Sequence, residues 1–296
     1  MPNLLDLIRN TFREWKEDNA ARLAAALAYY TTFSLAPMLV LVIAIAGLVG
    51  GREAAQTQVM GQVRDLIGVQ GSDFVESMIV SASRPATGLL ATLIGTVTLL
   101  FGALGAFGEL QNALNTIWDV KPKPVSGILA GIKRYIMSRI LSFAVVVGVG
   151  FLLLASLVVS AALTSLGQYL SGLNLFAEFW LQVINLVISL AVVTVLFMLI
   201  FKFLPEVKIS WRDVFLGAAV TSVLFNVGKL LIGLYLGRSS VGTTFGAAGS
   251  LAILLIWIYY SAQILFLGAE FTQVYTKQKR GRLRPDSNSE RMPGRP

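Results

Sequence analysis

The chain has 296 residues, of which 55% are hydrophobic and 14% charged, with a net charge of +8. Soluble domains carry about 25% charged residues, and a chain this apolar has too few polar side chains to cover a folded surface in water. It also contains no Cys and no His, which excludes disulfides, thiolate or imidazole catalysis and the usual zinc and haem ligand sets.

Residues 1–22 place Leu4, Ile8, Phe12 and Trp15 at helical spacing among charged neighbours. This predicts an amphipathic N-terminal helix, lying either in the membrane interface or against the ends of a bundle. A bilayer core about 30 Å thick takes about 20 apolar residues in helical form. Charge-free windows of that length predict six spans, at about 24–50, 86–108, 140–163, 179–201, 214–236 and 246–269. The first is too long for the apolar region of a secretory signal, so it reads as a retained anchor. Between the first two spans, Val59–Ile67 and Phe74–Ile79 form two short helical patterns separated by Gly68–Ser72. They predict a small helical cap on the outer face. The stretch Gln111–Trp118 extends the second span, and the prolines of Lys121-Pro-Lys-Pro124 end it. The fold class is therefore all-α and polytopic: a six-helix transmembrane domain over 23–275. A polar, basic tail follows at 276–296, with three prolines, and is expected to be disordered.

Orientation follows from Lys and Arg, which accumulate on the cytoplasmic side. The N-terminal segment, the second-to-third and fourth-to-fifth connections and the tail together hold nineteen of the 24 basic residues. Both termini are thus expected in the cytoplasm, and the positive charge serves orientation and contact with anionic lipid rather than nucleic acid. No aromatic residue lies between the tail's basic ones, as nucleic-acid binding would favour.

Several residues inside the spans are candidates for function. Lys229 is the one formal charge well within a span, and Ser222, Asn226, Lys229, Gly233 and Gly237 recur at spacings of three and four. An ionisable residue on such a polar stripe faces a cavity or the bundle, or else its long stem carries the ammonium to the interface. In the first span Tyr29, Tyr30 and Thr32 precede Pro37, which removes a backbone donor and predicts a broken helix. Polar groups at a break are either substrate contacts or the partners of the freed carbonyl. Glu109, Asn112, Gln263 and Glu270 lie near the cytoplasmic ends of two spans and suggest a polar cluster there, with Lys202 or Arg212 as partner. Gly88, Gly95, Gly102, Gly105 and Gly108 suggest close helix packing in preference to a substrate path, and such glycine-rich faces could also join copies in a homo-oligomer.

Four blocks of the sequence carry a family likeness. Ala25–Pro37 (AALAYYTTFSLAP), Gly102–Trp118 (GALGAFGELQNALNTIW), Phe203–Gly217 (FLPEVKISWRDVFLG) and Phe245–Glu270, ending in LLIWIYYSAQILFLGAE, resemble the YihY/BrkB family of bacterial inner-membrane proteins. The resemblance runs from about Leu4 to Tyr275 and keeps the family order. It implies six transmembrane helices with cytoplasmic termini in the inner membrane. Members have been called ribonuclease BN, linked to serum resistance, and proposed as transporters of lipid or lipopolysaccharide precursors.

The expected function is a transporter or flippase-like protein for a lipid or other amphiphile of the cell envelope. No nucleotide-binding Gly-rich loop is present, so no ATPase of its own is expected, and neither cofactor nor metal. A non-catalytic scaffold for envelope assembly is the alternative. A ribonuclease would need several carboxylates or His around a metal, whereas the carboxylates here are scattered singly. No enzymatic activity is expected.

Overall fold

A computed structural model of the chain describes residues 4–83, 105–123, 175–238, 248–281, 284–286 and 289–292. Its helices are α1 (Leu4–Glu17), α2 (Ala20–Gly50), α3 (Arg52–Ala82), α4 (Leu175–Phe203), α5 (Trp211–Arg238) and α6 (Gly249–Arg280). A further helical stretch covers 105–117. Four helices among the described residues are long and apolar enough to cross a membrane, over Ala20–Leu48, Leu186–Phe203, Trp211–Tyr235 and Gly249–Lys279. The third expected span and nearly all of the second lie outside the described residues, as do Gly88, Gly95 and Gly102. The spanning helices expose Leu186, Val187, Leu230, Leu231 and Leu234, an outer surface suited to lipid rather than water.

Three local expectations change. α2 runs unbroken across Pro37, because the long apolar helix is held on both sides of the proline by buried Ala36, Leu39 and Ile43. α6 continues to Arg280, well past the expected end at 269. Counting charge-free residues finds the limit of lipid contact, while the helix goes on: 32 residues rise about 48 Å. The region after the first span is also more than an outer cap. Gly51 (φ 85°) turns the chain sharply, and α3 folds back along α2 and packs on α6. The expected break falls within Gly68–Ser72: Gly68, at φ 75° and ψ 179°, is non-helical inside α3, a conformation open to glycine and strained for other residues.

The seam between α5 and α6 is set by glycines facing threonines. A Cβ on Gly217 would stand 1.8 Å from Thr272 Oγ1, and one on Gly268 would stand 1.9 Å from Thr221 Oγ1. Small residues let the two backbones approach. Each threonine also turns its hydroxyl back to its own helix, Thr221 donating to the Gly217 carbonyl and Thr272 to that of Gly268, both at 2.7 Å. No buried hydroxyl on this seam therefore lacks a partner.

Both termini meet at one end of the bundle. α1 packs on α6 through buried Leu7 and Thr11, leaving Leu4, Ile8 and Phe12 exposed. Of the apolar stripe read from the sequence, Leu4, Ile8 and Phe12 thus face outward, while Trp15 is half-buried and packs on the core. A core of Trp118, Leu114, Ile117, Phe201, Val214 and Phe266 fills this end. The tail, expected to be disordered, is pinned there by two short antiparallel pairs. β1 (Val120–Pro122) pairs with β4 (Ser289–Arg291), and β2 (Val207–Lys208) pairs with β3 (Arg284–Pro285). Its composition is that of a disordered segment, but the two interhelical loops offer strand edges that it completes. The Ser289 hydroxyl donates to the Glu206 carbonyl at 2.6 Å, and the Met292 amide donates to that of Asp119 at 3.0 Å.

Candidate functional site

Between α2, α3, α4, α5 and α6 lies a cavity of about 580 Å³, within the range of small-molecule sites. Each helix contributes one face. α2 brings Leu27 and Thr31, and the returning first half of α3 brings Gln62 and Leu66. α4 supplies an apolar wall from Val192 to Ile200 with Ser189 beside it, α5 supplies Phe225 and Lys229, and α6 supplies Ile258, Ser261, Ala262 and Leu265. Aliphatic and aromatic side chains dominate the lining. Among the described residues polarity enters through two serines, one threonine, one glutamine and the Lys229 ammonium. Lys229 is half-buried, and it is the one charged residue of the lining among those described.

Its place there is fixed by the turn beneath it. Gly228 faces α6 so closely that a Cβ would fall 2.4 Å from Ile264 Cδ1 and 3.0 Å from the Tyr260 ring. Lys229, the next residue, projects beside that contact. The edge-to-face pairs of Phe225 with Phe197 (centroids 5.7 Å apart) and with Trp257 (6.5 Å) brace the same region of α5.

The other candidate residues of the path are placed elsewhere. The Ser222 hydroxyl is buried and shares a 2.8 Å hydrogen bond with Thr194 on α4, and the Asn226 amide donates to the Ser222 carbonyl at 2.9 Å. Their polar atoms join helices or close on their own helix. Thr32 donates to the Ala28 carbonyl at 2.8 Å. Tyr29 and Tyr30 are exposed, stacking edge-on against each other at 5.7 Å, and Tyr29 leans on Phe33. Pro37 is half-buried within the continuous α2. Of these seven residues, Lys229 alone lines the cavity, joined from the first span by Thr31 rather than Thr32.

The expected polar cluster is likewise dispersed. Among the described residues no hydrogen bond or ion pair joins the side chains of Glu109, Asn112, Gln263 and Glu270 to one another. Asn112 is exposed and Glu109 half-buried. Lys202 donates to the Ile209 carbonyl and lies 5.3 Å from the Trp211 ring centroid. Glu270 is fully buried, its carboxyl facing that of buried Asp18 beyond the end of α1. A different network occupies that end. Asp119, held at φ 54°, accepts from Lys277 Nζ at 2.7 Å and Gln273 Nε2 at 3.0 Å. Buried Asp213 accepts from Lys279 at 3.0 Å.

Sequence reasoning missed Gln62, Ser189 and Ser261 in the cavity, and Asp18, Asp119 and Gln273 at the terminal end. The serines give no signal, since isolated hydroxyls are common in spanning helices. Gln62 was hidden by reading α3 as a cap. Asp119 did carry one: a carboxylate at the turn between a helix and a Pro-containing loop. Among the described residues no group of three His, Cys, Asp or Glu could hold a metal ion.

Long apolar helices around a mostly apolar cavity define an α-helical, multi-pass membrane protein. Residues 11–293 match the family model described as virulence factor BrkB, and the chain belongs to that family. It is 28% identical over 272 residues to a UPF0761 membrane protein of Ralstonia nicotianae, covering 91% of this chain and 58% of that one. A UPF0761 membrane protein of Azotobacter vinelandii is 28% identical over 287 residues, covering 95% and 66% of the two chains. One of Pseudomonas aeruginosa is 30% identical over 260 residues, covering 85% and 58%. The chain thus spans little more than half the length of several of these relatives. No solved structure matches it.

Proposed function

We propose that the protein is a six-span inner-membrane protein with cytoplasmic termini that transfers a lipid or other amphiphile of the cell envelope, with no nucleotide hydrolysis of its own and no enzymatic step. The observation that carries this reading is the cavity of about 580 Å³ walled by five helices. An apolar chain finds favourable contacts along α4 and α6, and a polar head finds Lys229, Thr31, Gln62, Ser189 and Ser261. The charge asymmetry supports the orientation, with the tail's basic residues beside anionic lipid. Reconstitution into liposomes carrying labelled phospholipid tests the reading. Leaflet exchange faster than in protein-free vesicles is expected, slowed by Val193→Trp, which fills the cavity. Equal exchange in loaded and empty vesicles overturns it.

The alternative, a scaffold for envelope proteins, is favoured by the outward apolar stripe of α1, with Leu4 69% and Phe12 56% exposed. Against it, the tail that would recruit a partner is engaged within the chain. Gly217, Gly228 and Gly268 are occupied by contacts inside the molecule, whereas Gly88, Gly95 and Gly102, on which the expected packing face rests, lie outside the described residues.

A further inference from the structure

We infer that the cavity selects an amphiphile with an anionic headgroup, seated against Lys229; this deepens the transfer reading above and rests on it. The argument is one of charge. Among the described residues Lys229 is the single ionisable one in the lining, and no carboxylate of theirs stands in the cavity beside it. Among the described residues it enters no ion pair, whereas Lys277 and Lys279 at the terminal end each hold an aspartate within 3.0 Å. An ammonium beside Leu, Val, Ile and Phe side chains is less well solvated than one in water, and a paired anion offsets that cost.

The uncharged polar residues of the lining fit the same ligand. Thr31, Ser189, Ser261 and Gln62 come from four different helices, and each can donate a hydrogen bond to phosphate or carboxylate oxygens. A cationic headgroup would meet Lys229 with no carboxylate among the described lining residues to balance it. A zwitterionic one would bring its anion to the lysine and have only neutral groups for its own ammonium. The apolar wall along α4, Val192, Val193, Leu196 and Ile200, leaves the remainder of the volume to hydrocarbon. A free small anion would leave that wall unused.

The test uses the purified full chain in detergent, loaded with phosphatidylglycerol or phosphatidylcholine and read by native mass spectrometry. Wild type is expected to retain the anionic lipid about tenfold better than the zwitterionic one, the scale of one charge-assisted hydrogen bond. Lys229→Gln should erase that preference while still binding both lipids, and Val193→Trp should lower retention of both. Melting curves confirm that each variant is folded. An undiminished preference in Lys229→Gln overturns the headgroup assignment and leaves amphiphile binding standing. Lipid retention unaffected by Val193→Trp overturns the cavity as the site, and the transfer reading with it. Displacement of phosphatidylglycerol by millimolar inorganic phosphate would show that the site takes the anion alone, and would overturn the inference.

Discussion

The terminal end and the cavity are built from similar helices and solve opposite problems. At the terminal end, segments far apart in sequence are tied by polar bonds: Asn115 to Glu206, Gln273 and Lys277 to Asp119, Lys279 to Asp213, and the tail to both interhelical loops. Around the cavity the Thr32 hydroxyl turns back to a carbonyl of its own helix, Thr194 bonds both its own helix and Ser222 on α5, and the walls otherwise meet largely through apolar side chains and glycine contacts. Helices joined by networks of directional bonds have few alternative arrangements. Helices joined mainly by dispersion can shift without leaving a polar group unpaired. The difference assigns rigidity to the terminal end and adaptability to the region that encloses a ligand-sized volume.

The largest effect that sharpens this contrast comes from truncating a side chain in each region. Trp118 is 1% exposed within the apolar cluster of the terminal end. Trp118→Ala should lower stability by about 3–5 kcal/mol, because the surrounding side chains cannot collapse into the space. Leu196 already borders the cavity, so Leu196→Ala opens little new void and should cost under about 2 kcal/mol. Thermal or denaturant unfolding of both variants in one detergent measures the gap. Equal losses would mean that the cavity wall is as tightly determined as the terminal core, and the contrast would fail.

A smaller effect separates close helix contact from open helix surface. Gly268→Ala places a methyl 1.9 Å from Thr221 Oγ1, and overpacking of this kind costs about 1–3 kcal/mol. Gly233, on the outer side of α5, has nothing within 4 Å of its would-be Cβ. There Gly233→Ala should be neutral or stabilising by up to about 1 kcal/mol, through helix propensity. The two melting shifts should therefore differ: a clear loss at Gly268, and none or a small gain at Gly233. A loss at Gly233 would reveal a contact made outside this chain, as in a homo-oligomer.

Much of the fold was legible because lipid imposes a length. Apolar windows located α2, α4 and α5 within a few residues, since a helix must be apolar wherever it meets hydrocarbon. The same signal misled where protein replaces lipid as the neighbour. α6 carries Glu270 into a buried setting that charge counting treats as the end of a span. Gln62 reaches the cavity on a segment too polar to read as part of the bundle. At the site, Lys229 was legible because a lone charge in an apolar run must be accommodated somewhere. Ser222 and Asn226 share its helical spacing, yet spacing fixes a face of one helix and says nothing about which neighbour satisfies each group. The pinned tail was illegible for a related reason: its composition describes what it does alone, whereas its order depends on strand edges supplied by residues 120–122 and 207–208.

The smallest expected effect concerns that tail. Lys121 and Glu290 stand opposite each other across the β1–β4 pair, 3.2 Å apart, with both side chains 43% exposed. Their position suggests a latch, but an exposed pair gains only about 0.2–1 kcal/mol. The backbone bonds of the β-pairs and the Ser289–Glu206 contact do not depend on it. Lys121→Ala should therefore leave the melting temperature nearly unchanged and raise protease cleavage near residue 290 only slightly. Ser289→Ala removes a hydroxyl that is buried and bonded at 2.6 Å, and should release the tail more readily than loss of the ion pair. If Lys121→Ala frees the tail as fully as Ser289→Ala, the terminal end is held by screened surface charge. Its order would then fall as salt rises, and the contrast in rigidity between the two regions would hold only at low ionic strength.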